Sequence, residues 1–144
     1  MTEVTARRIL VGIDASEPSR AALRWAVGEA QPGDCVEVVH SWNLHAIAGL
    51  EAPNLNSATF EVDATRLLHE AVDQVVDIEN APFDVEFSPV HGHASEVLIE
   101  RSSDADLLVV GRRGLGGFKQ MLLGSVSRDV VQHAACPVVV VPAP

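Results

Sequence analysis

The sequence predicts a doubly wound α/β domain: a five-stranded parallel sheet with helices on both faces. Three observations predict it. Short β-branched runs alternate with segments of helical periodicity along the whole chain. The strand runs are apolar at consecutive positions, the pattern of strands covered on both faces. The length of 144 residues and a hydrophobic share of 47% suit one domain, spanning 1–144, with a substantial core. Two strand orders fit this alternation, 2-1-3-4-5 and 3-2-1-4-5. The order adopted as the expectation is 3-2-1-4-5, with right-handed crossovers.

Each element follows from local chemistry. Strand 1 is the run Arg8 to Asp14. Ser16 is a cap for the first helix, and Pro18 suits its first turn. Ala22, Trp25, Ala26 and Glu29 are read as its inward row, and Pro32-Gly33 ends it. Strand 2 is Val36 to Ser41, and residues 43–57 read as a loop. Phe60, Ala64, Leu67, Leu68, Ala71, Val72 and Val75 keep helical spacing, which predicts one amphipathic helix over 58–79. Strand 3 is Val85 to Val90, followed by a short helix from Ala94 to Arg101. Strand 4 is Leu107 to Val110. Val126, Val130, Val131 and Ala134 mark the last helix, and Pro137 to Val141 is strand 5.

Composition excludes several classes. The formal net charge is -10, a poor match for nucleic acid, where phosphate neutralisation dominates affinity. The apolar runs are too short to span a bilayer, so no membrane association is expected. The start of the chain has no apolar stretch of the secretory kind. Cys35 and Cys136 lack any metal or redox spacing and read as reduced thiols. The expected location is therefore the cytoplasm. Against the acidic background, Gly111 to Arg128 holds four basic residues (Arg112, Arg113, Lys119, Arg128) and no acidic one. A local basic island suits a small anion.

The chemistry concentrates in that island. Gly111-Arg112-Arg113-Gly114 follows strand 4, and Gly124-Ser125 opens the last helix, giving the spacing G-x2-G-x9-G-S. Gly111 and Gly114 allow close approach of backbone to a ligand. Gly124-Ser125 offers N–H groups and a hydroxyl at a helix N-terminus, an anion site, and Ser127 adds a second hydroxyl. In order 3-2-1-4-5 the topological switch lies between strands 1 and 4, where Asp14 and Gly111 stand. A Walker sequence GxxxxGK[ST] is absent, and Gly12-Ile13-Asp14-Ala15-Ser16 is not GxGxxG.

Nearly the whole chain resembles the ATP-binding branch of the universal stress protein family. The resemblance is carried by Ile9 to Ser16, His40, Gly92, Asp106 to Gly111, the G-x2-G-x9-G-S segment, and Cys136 to Val141. It implies that Gly12 and Asp14 lie beside base and ribose, and that Ser41 contacts adenine through its backbone. It implies that Gly111 and Gly114 flank ribose and phosphates. Gly124, Ser125 and Val126 would hold phosphates, and Arg113 is a further candidate contact in a variable pair. The implied ligand is ATP, with Mg²⁺ or Mn²⁺ neutralising phosphate charge. A nucleotide-dependent regulatory protein is the first expectation. A slow ATPase or phosphotransferase, or a cyclic nucleotide such as cAMP in the same site, are the alternatives.

Other residues have plainer readings. Asp14 could equally cap the turn after strand 1. His91 and His93 flank Gly92 without a third metal ligand. His40 reads as a packed strand-end residue, and Trp25 and Trp42 as core or loop packing. Ser125 has no histidine or lysine near it in sequence to act as a base, so no catalytic residue is assigned. In strand 5, Val138, Val139, Val140 and Val141 stand in a row without charge at a predicted sheet edge. A homodimer through this strand is expected, and the resemblance implies the same.

Overall fold

A computed structural model describes residues 6–42, 57–112 and 124–142, with 57 and 58 described by their backbone. The elements are β1 (Arg8–Gly12), α1 (Glu17–Glu29), β2 (Cys35–Trp42), α2 (Ser57–Asp73), a 3-10 turn (Ile78–Asn80), β3 (Asp84–His91), α3 (Ala94–Ser102), β4 (Leu107–Gly111), α4 (Ser125–His133) and β5 (Val138–Val141). All sheet pairings are parallel, and the order is β3-β2-β1-β4-β5, as expected from the sequence.

The sheet separates two apolar layers. On one face Ile9, Val11, Val36, Val38 and Val109 pack against Ala22, Leu23 and Ala26 of α1 and Leu68, Ala71 and Val72 of α2. On the other, Leu10, Val39, Leu108 and Val110 meet Val97 and Leu98 of α3 and Val130 of α4. Successive side chains of a strand point to opposite faces, so the consecutive apolar residues of β1 and β4 feed both layers. Ile9, Leu10 and Val11 are each 0% exposed, which makes β1 the centre of the core.

Three local readings change. In α1 the buried row is Ser19, Ala22, Leu23 and Ala26, whereas Trp25 is 37% exposed and belongs to the surface. This row keeps the i, i+3, i+4, i+7 spacing, and Trp25 and Glu29 fall at its margin. Helix α2 ends at Asp73 rather than near residue 79. Its apolar period continues through Val75 and Val76, but the Val75 N–H turns to the Val72 carbonyl only three residues back, at 2.9 Å, and shares it with Val76, a tightening typical of a helix end. Strand β1 ends at Gly12, so Asp14 belongs to the following loop. The 43–57 loop reading lies, through residue 56, outside the described residues.

Two buried carboxylates anchor the N-terminal ends of the strands. Asp34, 1% exposed, accepts from the backbone N–H of Arg7 at 2.9 Å and of Gln31 at 2.8 Å, and pairs with the Arg7 guanidinium at 3.1 Å. Burial opposes its ionisation, but these N–H groups and the guanidinium outweigh that and hold its carboxyl below the ordinary range. Glu37, on the α3 side of β2, is held by Arg8 at 2.9 Å, Arg101 at 2.5 Å and the Ser88 hydroxyl at 2.8 Å. A carboxylate this buried requires such partners, since an uncompensated charge there is strongly destabilising. Cys35 and Cys136 are free and half-buried, and burial raises both thiols above their ordinary pKa.

The end of β4 sits unusually close to α1. A Cβ placed on Gly111 would lie 2.6 Å from both the carbonyl carbon and the oxygen of Pro18. Backbone atoms cannot give way as a side-chain tip can, so only glycine fits. We expect Gly111→Ala to destabilise the unliganded protein by about 1–3 kcal/mol, read as a lower urea midpoint with unchanged slope. An unchanged midpoint would show that the contact is not constraining.

Candidate functional site

The candidate site lies along the carboxyl edge of the sheet, at the switch between β1 and β4, where α1 leaves toward one face and α4 covers the other. The β1 side is a tightly bonded turn. Ile13 continues the strand pairing by donating its N–H to the Val39 carbonyl at 2.8 Å, and the Ile13 carbonyl faces Nδ1 of His40 at 2.8 Å. A carbonyl can only accept, so Nδ1 donates in this bond. The structure thus gives the packed strand-end histidine a specific task. Ala15 follows with φ of 66°, a left-handed conformation uncommon for a residue with a Cβ.

Asp14 is half-buried in this turn. Its Oδ1 accepts from the N–H of Ser16 at 3.0 Å and from the Ser16 hydroxyl. Its own N–H donates to the Ser19 hydroxyl at 3.2 Å. The Ser16 hydroxyl also caps α1 by accepting from the Ser19 N–H at 3.3 Å. Asp14 therefore does the turn-capping work that its residue type permits, with one of its two oxygens.

The β4 side is a clamp. The N–H of Arg112 donates to the Val141 carbonyl at 2.9 Å and extends the pairing with β5. The Arg112 carbonyl accepts from the Gly124 N–H at 2.7 Å and from the Ser127 hydroxyl at 2.9 Å. These bonds tie the two ends of the segment between Arg112 and Gly124 together. Ser127 is 2% exposed, and its hydroxyl also reaches the Gly124 carbonyl at 3.2 Å. Its sequence reading as an added phosphate hydroxyl is corrected: it closes the base of the segment.

Gly124 is the N-cap of α4 and contributes no side-chain cap. Its φ of -72° and ψ of 169° are extended values open to any residue. The first N–H groups of a helix have no intrahelical acceptor and point beyond its end. Those of Ser125 and Val126 stand at that end, beside the Arg112 clamp, with Ser125 exposed. Arg128, one turn on, is exposed too and donates its backbone N–H to Gly124 at 2.9 Å.

Gly12, Asp14, Ser41, Gly111, Gly124, Ser125 and Val126 therefore share one edge of the sheet. Arg113 and Gly114 lie outside the described residues. Two glycines carry packing reasons that the sequence did not show. A Cβ on Gly12 would sit 3.0 Å from Cδ1 of Leu98, and Gly111 is fixed by Pro18. Ser41 pairs with Val90, one residue before Trp42. Trp42 stacks on Phe60 with centroids 5.6 Å apart and tilts against His91 at 4.6 Å. Its indole N–H is the one buried side-chain polar atom without a partner among the described residues. Among the described residues no group of three or more His, Cys, Asp or Glu could hold a metal. No described helix is long and apolar enough to cross a membrane. Ser16, read as a helix cap, and Ser19 are what hold Asp14, and an Asp-x-Ser spacing at a helix start was the available signal.

The fold and this edge define a doubly wound α/β protein with a candidate anion site at its switch point. Residues 5–142 match the model of the universal stress protein family, and the chain belongs to that family. It is 34% identical over 138 residues to universal stress protein MT2698 of Mycobacterium tuberculosis, covering 92% of this chain and 46% of that protein. The chain thus spans about half the length of the curated relatives it matches. Hypothetical protein MJ0577 has the same fold, with a TM-score of 0.81 and 24% identity over 98% of this chain and 99% of that one. A universal stress protein solved in complex with cAMP superposes with a TM-score of 0.65 and 25% identity, covering 98% and 100% of the two chains.

The clamp gives a test that needs no ligand. Ser127→Ala removes a buried hydroxyl that bonds two carbonyls. We expect a stability loss of about 0.5–1.5 kcal/mol and faster amide exchange at Gly124. Unchanged exchange at Gly124 would mean that the segment is not held at its base by this side chain.

Proposed function

We propose that this chain is an adenine-nucleotide-binding regulatory protein that takes ATP along the carboxyl edge of β1, β2 and β4. The observation that carries the reading is the N-terminus of α4, where Gly124 supplies no side-chain cap and Ser125 and Val126 follow, beside the end of β4 at the switch point. An N-terminus of this kind favours a phosphate through its N–H groups and the helix dipole. The Ser125 hydroxyl adds a donor, and Arg112, Arg113 and Arg128 add positive charge. Mg²⁺ or Mn²⁺ would arrive with the phosphates and offset their remaining charge. The base and ribose would lie toward Gly12, Asp14 and Ser41, with Gly111 and Gly114 alongside. A cyclic nucleotide is the second reading, and the related protein solved with cAMP favours keeping it. Occupancy, rather than turnover, is the proposed signal; a turnover assay on the purified protein separates it from a slow ATPase or phosphotransferase.

Titration calorimetry should show saturable binding of ATP, ADP or cyclic AMP, and no heat and no competition with any of them would end this reading. The orientation has its own test. Gly124→Ala combined with Ser125→Ala should weaken ATP more than adenosine, by about 1.5–3 kcal/mol for the lost hydrogen bond from the Ser125 hydroxyl to charged phosphate. Equal weakening of both would place the phosphates elsewhere.

We further propose a homodimer that pairs β5 with its copy. The two sheet edges differ in kind. β3 carries Pro89 within the strand and exposed Asp84 and Glu86, devices that blunt an edge. β5 carries Val138, Val139, Val140 and Val141, all half-buried, with β4 on one side. Antiparallel pairing about a two-fold axis would satisfy its outer N–H and C=O groups. Light scattering should give a dimer mass at micromolar concentration, and Val139→Lys with Val141→Lys should shift it toward monomer. A wild type of monomer mass overturns the proposal whatever the variant does.

A further inference from the structure

Asp14 reaches the edge of the sheet with its two carboxylate oxygens in different situations. Oδ1 is bonded twice by Ser16, through N–H and hydroxyl. For Oδ2 no hydrogen bond to a described residue is present, and the group is half-buried rather than solvated on all sides. The holding side chains are themselves deeply placed: Ser16 is 4% and Ser19 5% exposed. Ser19 fixes the other end of the residue by accepting from its N–H at 3.2 Å. The backbone entering the turn is pinned by Val39 and His40, and the left-handed Ala15 turns Ser16 back toward the carboxylate. Downstream, Pro18 lies against Gly111, so the turn cannot shift without moving the end of β4.

We propose that Ser16 is a positioning residue for the ligand site: it occupies Oδ1 of Asp14 and leaves Oδ2 as the single acceptor offered to the ligand. Ser19 supports it by holding the Asp14 amide. An ionised carboxylate free at both oxygens could rotate about its terminal torsion and accept from donors in several directions. With Oδ1 taken, the plane of the carboxylate is set and only the lone pairs of Oδ2 remain. The matching ligand group is an N–H or O–H donor, such as an amino group on a base or a ribose hydroxyl. This rests on the nucleotide reading above, of which it specifies one contact.

The test is a double-mutant cycle on ATP affinity, with melting midpoints recorded beside it. Asp14→Asn can keep an oxygen toward Ser16 and puts an amino group where Oδ2 stood, replacing acceptor by donor. Ser16→Gly removes the hydroxyl while keeping most of the helix-capping preference, so the fold is retained. We expect Asp14→Asn to weaken ATP about tenfold, the size of one hydrogen bond to a charged group, and Ser16→Gly, which keeps the backbone N–H on Oδ1, to weaken it by a smaller factor. The double variant should be no weaker than the weaker single one, because Ser16 acts through Asp14. Ser16→Thr, which retains the hydroxyl, should bind as the wild type does. Losses that multiply in the double variant overturn the positioning role while leaving the nucleotide reading intact. An Asp14→Asn protein with wild-type affinity overturns it too, since Oδ2 would then meet no ligand donor. A wild type that binds no nucleotide ends the nucleotide reading and this inference together.

Discussion

The burial of β1 on every side is the constraint from which the rest of the architecture follows. Its three central residues are fully enclosed, hydrogen-bonded laterally to β2 and β4, and covered by helices above and below. A parallel strand so placed needs partners on both edges and apolar cover on both faces. Helices α1 and α2 provide one cover, α3 and α4 the other. Because the connections leave β1 and β4 toward opposite faces, a cleft opens where their carboxyl ends lie side by side. The site is thus a consequence of how the core is closed, and needs no separate scaffold.

Around that cleft, packing and ligand readiness are hard to separate. Gly111 would be assigned to ligand approach from its position alone, yet Pro18 already demands its missing Cβ. Gly12 likewise lies under Leu98. Ser127 is buried and ties the segment after β4 to the start of α4, whereas Ser125, two residues earlier, is exposed at the helix end. Two hydroxyls so close in sequence therefore do different work. The distinction rests on helix geometry, since a residue at the first position of a helix and one at the third face different surroundings.

The buried charges lie at the opposite end of the sheet. Asp34 and Glu37 each meet arginine and neutral donors there, so both charges are compensated where the strands begin. The carboxyl edge, by contrast, has the first N–H groups of α4, which lack intrahelical acceptors, and at Asp14 an acceptor without a described donor. Such a division stabilises one end of the sheet and leaves the other suited to a polar ligand. The 3-10 turn and the shallow acidic groove of residues Asp73 to Glu79 lie beyond the far end of α2, away from this edge.

Much of this was legible in the sequence because it depends on local periodicity. Apolar runs in β1 and β4 mark strands covered twice, Pro32-Gly33 marks a stop, and the G-x2-G-x9-G-S spacing marks a strand followed by a segment and a helix start. These signals determined the fold class, the element order and the candidate edge. They did not determine where α2 stops, because Val75 and Val76 continue its apolar period while the Val75 N–H tightens to the Val72 carbonyl three residues back. Nor did they show that Trp25 faces outward, since its margin position differs from the buried row by little more than one residue's rotation. Only the tertiary structure decided which oxygen of Asp14 is committed, why Gly111 must be glycine, and that Ser127 faces inward. Each of those facts is a contact between segments distant in sequence, or an angle between neighbouring side chains. Residue type and spacing specify neither, because both are set by how β1, β4, α1 and α4 close around the same core.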